Sequence, residues 1–270
     1  MSQQPPSSES LLADYLRHID SEKRLALRTQ QLYQHDLQRL YTLAQTAGIA
    51  PEQAQNHHLR AWLAQSHAAG MRPRSLGLML SVWRGWYAWL GIKGHISANP
   101  CTGLHPPKGA QTLPKALAVD EAITLADFAT AQAQAASNDD AALAWRDAAI
   151  VELLYSSGLR VGELTGLDVQ ASTAGEAAGR GWVDRNAAEA HVQGKGSKRR
   201  SSPVGRPALQ ALQQYLALRP ALLSAANPNE TALFLGARGG RISPAVIWQM
   251  LKNLSLQSGL PMRVHAHVLR

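Results

Sequence analysis

The chain has 270 residues, enough for two domains of ordinary size, and 45% of them are hydrophobic. Its net charge of +8 and pI near 9.9 favour a polyanionic partner, nucleic acid or an acidic membrane surface. No apolar run reaches the ~18 residues of a spanning helix, the polar start MSQQPPSSES lacks the layout of a secretion signal, and the single Cys101 excludes an intramolecular disulfide framework, so the expected setting is the cytoplasm with no membrane partner.

The first half reads as helices. Leu11, Leu12, Tyr15, Leu16 and Ile19 share one helical face, as do Tyr33, Leu37, Leu40 and Ala44. Asn56 is expected to cap a third helix carrying Leu59, Trp62 and Leu63. Leu76, Met79, Leu80, Trp83, Trp86, Tyr87 and Leu90 form the clearest stripe, with Gly91 as its stop. Their strict helical spacing points to a packed core rather than a base-stacking surface. Arg72, Arg74, Arg84 and Lys93 surround that helix, and the first three are the candidates for DNA contact. Residues 99–115 hold four prolines and two glycines without periodicity, a linker signature. The expected division is a helical domain over 1–108 and a mixed domain over 109–270.

In the second domain Asp120 is expected to cap a helix through Phe128, followed by a surface loop over 129–141. Residues 144–157 read as an apolar helix stopped by Gly158. Residues 171–181, ASTAGEAAGRG, read as a flexible surface insertion. Two short strands are expected at Trp182–Asp184 and Ala190–Gln193, then a Gly/Lys turn and a return strand towards Val204. Pro207 opens a helix with Leu209, Leu212 and Leu216. Leu233–Leu235 is a short apolar segment before a Gly/Arg loop holding Arg241. Ser243 and Pro244 open a last helix closed by Gly259. Residues 190–270 carry 11 Lys and Arg against one acid, Glu230, which reads as a surface that meets phosphate.

Three segments carry chemistry. Arg160 follows the helix stop in YSSGLRVGEL (155–164); an arginine fixed at a tight helix junction suits a bidentate phosphate clamp, with Glu163 orienting it from behind. An ordinary structural Arg–Glu pair fits that segment equally. Lys195 lies in GKGSKRR (194–200), where flanking glycines allow close approach to a ligand. It lacks the spacing of a P-loop, and an exposed basic hairpin is the alternative. Lys198, Arg199 and Arg200 read as general phosphate contacts. His267 and Arg270 are three apart and would share a helical face, where a histidine can donate to a phosphoryl oxygen. His265 and His267 have no acidic cluster with them, so no metal site is expected.

YSSGLRVGEL, GKGSKRR and His267-x-x-Arg270, in that order, resemble the tyrosine recombinase (phage integrase) family. The resemblance runs essentially the whole chain. It implies a mainly α fold with a small β-sheet: an N-terminal helical, SAM-like core-binding domain and an α+β catalytic domain. It implies a cofactor-free reaction on a double-stranded recombination site through a 3′-phosphotyrosyl intermediate. Arg160 and Arg270 would clamp the scissile phosphate, Lys195 would protonate the departing 5′-hydroxyl, and His267 would assist proton transfer. Duplex DNA would lie between the two halves, within a tetramer shared with a paralogous recombinase.

The chain departs from the family pattern in three places. The family's nucleophilic tyrosine follows the second arginine, whereas all six tyrosines here precede it, so these 270 residues are expected to bind DNA without cleaving it. Ala266 stands where the family usually has proline. The 171–181 insertion places Lys195 35 positions after Arg160 and is expected to be tolerated. Alternative readings are an integrase of a phage or transposon, a non-catalytic DNA-binding protein and a metal-dependent nuclease. The absent carboxylate cluster argues against the last.

Overall fold

A computed structural model describes residues 7–109, 117–137, 140–194, 198–260, 264 and 266–269. The chain divides into two compact units, residues 1–112 and 113–270.

The first unit is a helical bundle of α1 (Ser8–Ser21), α2 (Leu27–Thr46), α3 (Asn56–Ala68) and α4 (Pro73–Ile92), with a 3-10 turn at Pro51–Gln53. The apolar stripes face inward. Tyr15, Ile19, Leu37, Leu40, Leu59 and Leu76 have no exposed surface, and neither do Trp83, Trp86 and Tyr87 of α4. Each large side chain so buried contributes about 2–3 kcal/mol. Two of the polar tips are satisfied across the bundle: Trp83 Nε1 donates to the Asp36 carbonyl (2.9 Å) and Tyr87 Oη to the Pro51 carbonyl (2.8 Å), while Tyr15 Oη, Trp86 Nε1 and Trp89 Nε1 are buried without a hydrogen-bond partner among the described residues. The aromatic stripe is core.

Two helix ends differ from expectation. Helix α4 runs through Gly91 to Ile92, because the left-handed residue that ends it is Gly94, at φ 78°. Asn56 is not a cap. It lies inside α3, and its amide donates to the carbonyls of Pro100 and Thr102 (3.0 Å each), while Gln55 occupies the cap position. That contact shortens the linker. Cys101 and Leu104 are buried in the helical core, and Arg84 donates to the Leu104 carbonyl at 3.0 Å. Cys101 is fully enclosed, and burial pushes its thiol up to about 12.

The second unit packs α5 (Val119–Ala135), α6 (Ala141–Ser157) and α9 (Arg206–Leu218) beside a four-stranded sheet. Helix α5 overruns the expected end by a full two turns. Its 129–135 stretch is rich in alanine, a strong helix former, and Ala129 and Ala133 are buried in the core. Asp120 is a first-turn residue; Glu121 makes the cap by accepting from the Ala118 backbone N–H (3.0 Å). In α6, Ala148 through Val151, Leu153 and Leu154 are all without exposure, the pattern of a helix sheathed on every side. Gly158 (φ 55°) ends it in the left-handed conformation.

The sheet has order β1 (Leu167–Asp168), β2 (Gly181–Asp184), β3 (Glu189–Gln193) and β4 (Arg199–Pro203). The β1–β2 pair is parallel and the others antiparallel, with His191 opposite Trp182 and Ser201. A short helix, α7 (Val161–Thr165), precedes β1. The 171–181 insertion is ordered where a flexible loop was expected. It holds the short helix α8 (Thr173–Ala177), capped by Ser172, and then the first residue of β2. The last helix, α10 (Pro244–Gln257), starts at the Ser243 cap as expected, and Gly259 takes φ 72° beyond its end.

Candidate active site

Gly158 turns the chain out of α6, and Leu159, fully buried, fixes the exit. Arg160 is therefore held in extended backbone (φ −73°, ψ 150°) at the N-cap of α7, with its side chain about half exposed. Glu163 reaches back from the third helical position. Its Oε2 accepts the Arg160 backbone N–H at 2.7 Å and its Oε1 accepts Arg160 Nη1 at 2.9 Å. The carboxylate side chain is only 5% exposed, and a second guanidinium, Arg200 on β4, donates to Oε2 at 2.8 Å. Burial alone would raise this carboxyl. The Arg160 N–H and the two guanidiniums outweigh it and hold Glu163 below the usual carboxylate range.

A cleft of about 410 Å³ opens beside this cluster, lined by Arg160, Glu163, Gln193 and Gly194 among others. It brings Arg160 to the base of the β3–β4 turn, which the Gly194 N–H closes onto the Lys198 carbonyl at 2.7 Å. Lys195 of that turn lies outside the described residues. Lys198 and Arg199 are exposed, and Arg199 pairs with Glu176 of α8 at 3.1 Å.

Near the end of the chain, residues 266–268 form a turn instead of the expected helical face. Val264, Val268 and Leu269 are buried in the core, the Leu117 N–H donates to the Val268 carbonyl (3.2 Å), and His267 is exposed between these anchors. Ala266, at the family's proline position, packs partly buried against the core. His265 and Arg270 lie outside the described residues. Among the described residues no group of three or more His, Cys, Asp or Glu could hold a metal ion.

Arg241 does not stand free for DNA. Its Nη1 donates to the carbonyls of Thr165 (2.9 Å) and Leu167 (3.0 Å), and its Nη2 binds Asp168 Oδ1. An arginine spent on three internal acceptors is a structural clamp. Asp168, 2% exposed, also faces Arg180 Nε at 2.9 Å, close enough for an ion pair but off-line for a hydrogen bond. Arg146 and Arg219 behave like Arg241: Arg146 Nη1 donates to the Leu235 carbonyl (2.9 Å) and Arg219 to those of Glu230, Ala232 and Leu233. The internal roles of these three arginines, and the Asp168–Arg180 pair, escape sequence reading because the carbonyls and carboxylate they meet are distant in sequence, although Arg146 also pairs with the adjacent Asp147 at 2.6 Å. In the first unit Arg72 and Arg74 are exposed, flanking the start of α4, while Arg84 is exposed but tied at one nitrogen to Leu104.

Comparison with known proteins places this arrangement. The phage integrase family matches residues 120–270, and the phage integrase N-terminal SAM-like domain matches 12–94. Tyrosine recombinase XerC 1 of Ralstonia nicotianae is 41% identical over 98% of this chain and 79% of its own length. Tyrosine recombinase XerC of Pseudomonas aeruginosa PAO1 is 35% identical over 95% and 77%. Among solved structures, the Tn1549 transposon integrase in complex with a circular intermediate DNA has TM-score 0.69 at 14% identity, covering 97% of this chain and 84% of that one. Lambda integrase (residues 75–356) bound to DNA has TM-score 0.63 at 17% identity, covering 98% and 84%. By family model, by relatives and by fold, the chain belongs to the phage integrase family of tyrosine recombinases, proteins of DNA recombination.

Proposed function

We propose that this site-specific recombinase is of the XerC type, acting in the cytoplasm on a double-stranded recombination site to resolve chromosome dimers, in a heterotetramer with a XerD-like recombinase. The relatives named above support the XerC assignment. In this reading Arg160 and Arg270 clamp the non-bridging oxygens of the scissile phosphate. Lys195 protonates the departing 5′-hydroxyl, and His267 assists proton transfer. Arg72, Arg74, Arg84, Lys198 and Arg199 meet the DNA backbone.

The observation that carries the reading is the cluster of Arg160, Glu163 and Arg200 at the cleft. One buried carboxylate shared by two guanidiniums leaves one positive charge in surplus, on an arginine that is half exposed and cannot swing away. A phosphoryl transition state spreads negative charge over its equatorial oxygens, and a pre-oriented planar cation answers that charge without reorganising. Covalent capture on a tyrosine conserves the phosphodiester energy for rejoining. Tyr215 is not that tyrosine: it is buried, and its hydroxyl accepts the Leu235 N–H at 3.1 Å. No tyrosine of residues 1–270 is assigned as the nucleophile in this reading.

A nicked suicide substrate tests the reading, with residues 1–270 compared against the gene product read to its stop codon, both in EDTA. A covalent protein–DNA adduct from the longer chain alone is the expected result. DNA binding by both chains with no adduct from either, on any candidate site, would replace this reading with non-catalytic DNA binding.

A further inference from the structure

Arg199 and Arg200 are neighbours on β4, yet they do different things. Arg199 is 61% exposed and pairs with a partly exposed Glu176. Arg200 stands opposite Val192 in the β3–β4 register, is about half as exposed, and donates to a carboxylate that is almost wholly buried. A guanidinium leaving that position for a DNA phosphate would strand a buried negative charge with one cation fewer, which is costly. The carboxylate it would abandon is the one that fixes Arg160 through both its backbone and its side chain. The electrostatics point the same way. Arg160 and Glu163 alone form a neutral pair, with little net attraction for phosphate. Adding Arg200 restores a net charge of one to the cluster. The same hydrogen bond joins two parts of the site: β4, which follows the Lys195 segment in sequence, and α7, which carries Glu163.

We infer that Arg200 is a positioning residue that grips Glu163 from the hairpin, thereby locking Arg160 in place and keeping the cluster cationic, and that it does not contact DNA phosphate. This rests on the reading of Arg160 as the phosphate clamp. It replaces the sequence expectation that Arg200 is one more phosphate contact in a basic run.

The test uses Arg200→Ala, Arg200→Lys and Glu163→Gln in the gene product read to its stop codon, with folding checked by circular dichroism. DNA affinity is measured across a salt series, and adduct formation is timed in single turnover at saturating DNA. Removing a cation that meets one phosphate should lower the slope of log K against log salt by about one. For Arg200→Ala the expected slope is that of the wild type, with adduct formation at saturation slowed by about tenfold or more, and Arg200→Lys restoring most of the rate. On the Glu163→Gln background, Arg200→Ala should slow the reaction less than about twofold further. A slope reduced by about one with a wild-type saturated rate would overturn the proposal, as would independent, multiplying effects of the two substitutions. If Arg200→Ala fails to fold, Arg200→Lys and Glu163→Gln carry the same comparison: a Glu163→Gln rate equal to wild type contradicts it. If the wild-type protein itself forms no adduct, the recombinase reading fails. The salt slope and a double-mutant cycle of Arg200 and Glu163 in thermal unfolding then still decide whether Arg200 serves the carboxylate or the phosphate.

Discussion

At the scale of single residues, two buried carboxylates organise the second unit, and each is shared by two arginines. Glu163 joins Arg160 to Arg200, and Asp168 joins Arg180 to Arg241. Because the Glu163 carboxyl is held below its usual range when folded, it contributes stability above its unfolded pKa. That contribution is lost as pH falls through the lower, folded value. Glu163→Gln is expected to cost about 1–3 kcal/mol near neutrality, with the deficit shrinking as the buffer is acidified. Urea melts over a pH series check this, and a deficit constant with pH contradicts it. Asp168→Ala should cost more, about 3–5 kcal/mol, because it removes the buried carboxylate shared by two partly buried guanidiniums. Glu176→Ala removes a partly exposed partner of Arg199 and should cost under about 1 kcal/mol. Of these pairings only Arg160–Glu163 is legible in the sequence. Residues three apart at a helix start announce themselves by spacing, whereas 163 with 200 or 168 with 241 meet only after the sheet has formed.

At the scale of elements, the readable ones have a strong period or a clear punctuation mark. The α4 stripe and the Gly158 stop are of that kind. So is the Ser243–Pro244 start of α10, where the Ser243 side chain accepts from the Val246 N–H. The elements that differ from expectation lack contrast. The 129–135 half of α5 is alanine and glutamine apart from Thr130, with no amphipathic signal until Ala129 and Ala133 are seen against the core. The insertion differs for the same reason. Its small residues suggest flexibility, and most of them are exposed, but its three glycines are crowded. A Cβ at Gly181 would lie 2.2 Å from the His191 carbonyl oxygen across β2–β3, and one at Gly179, at φ 70°, would lie 2.3 Å from the Gln193 side chain. Gly181→Ala must therefore force the strands apart and is expected to destabilise by about 2–3 kcal/mol or more. Gly162 faces open space within α7, so Gly162→Ala should be neutral or stabilising by up to about 1 kcal/mol. Denaturant unfolding of the two variants side by side checks the contrast.

At the scale of the whole molecule, the charge count overstates the DNA-binding surface. Arg219 and Arg241 belong to the basic last third, but their guanidiniums point at internal carbonyls, and Arg200 is committed to Glu163. The cations left for phosphate are fewer than composition implies, and in the first unit Arg72 and Arg74 are exposed at the start of α4, whereas the exposed Arg84 is tied at one nitrogen to the Leu104 carbonyl. Replacing both with alanine should reduce the salt slope of DNA binding by about two and weaken all sequences alike. Replacing Arg241 should leave the slope unchanged and lower the melting temperature.

Whether Arg160 neutralises charge on the phosphate being cut is tested most directly by timing adduct formation with wild-type and Arg160→Ala protein, read to the stop codon, on two suicide substrates. One carries an ordinary scissile phosphate and the other an uncharged methylphosphonate at that position. The expected result is that Arg160→Ala loses activity on the phosphate and recovers a large part of it on the methylphosphonate, where there is no charge left to neutralise. Equal loss on both substrates would contradict that role and make Arg160 purely architectural.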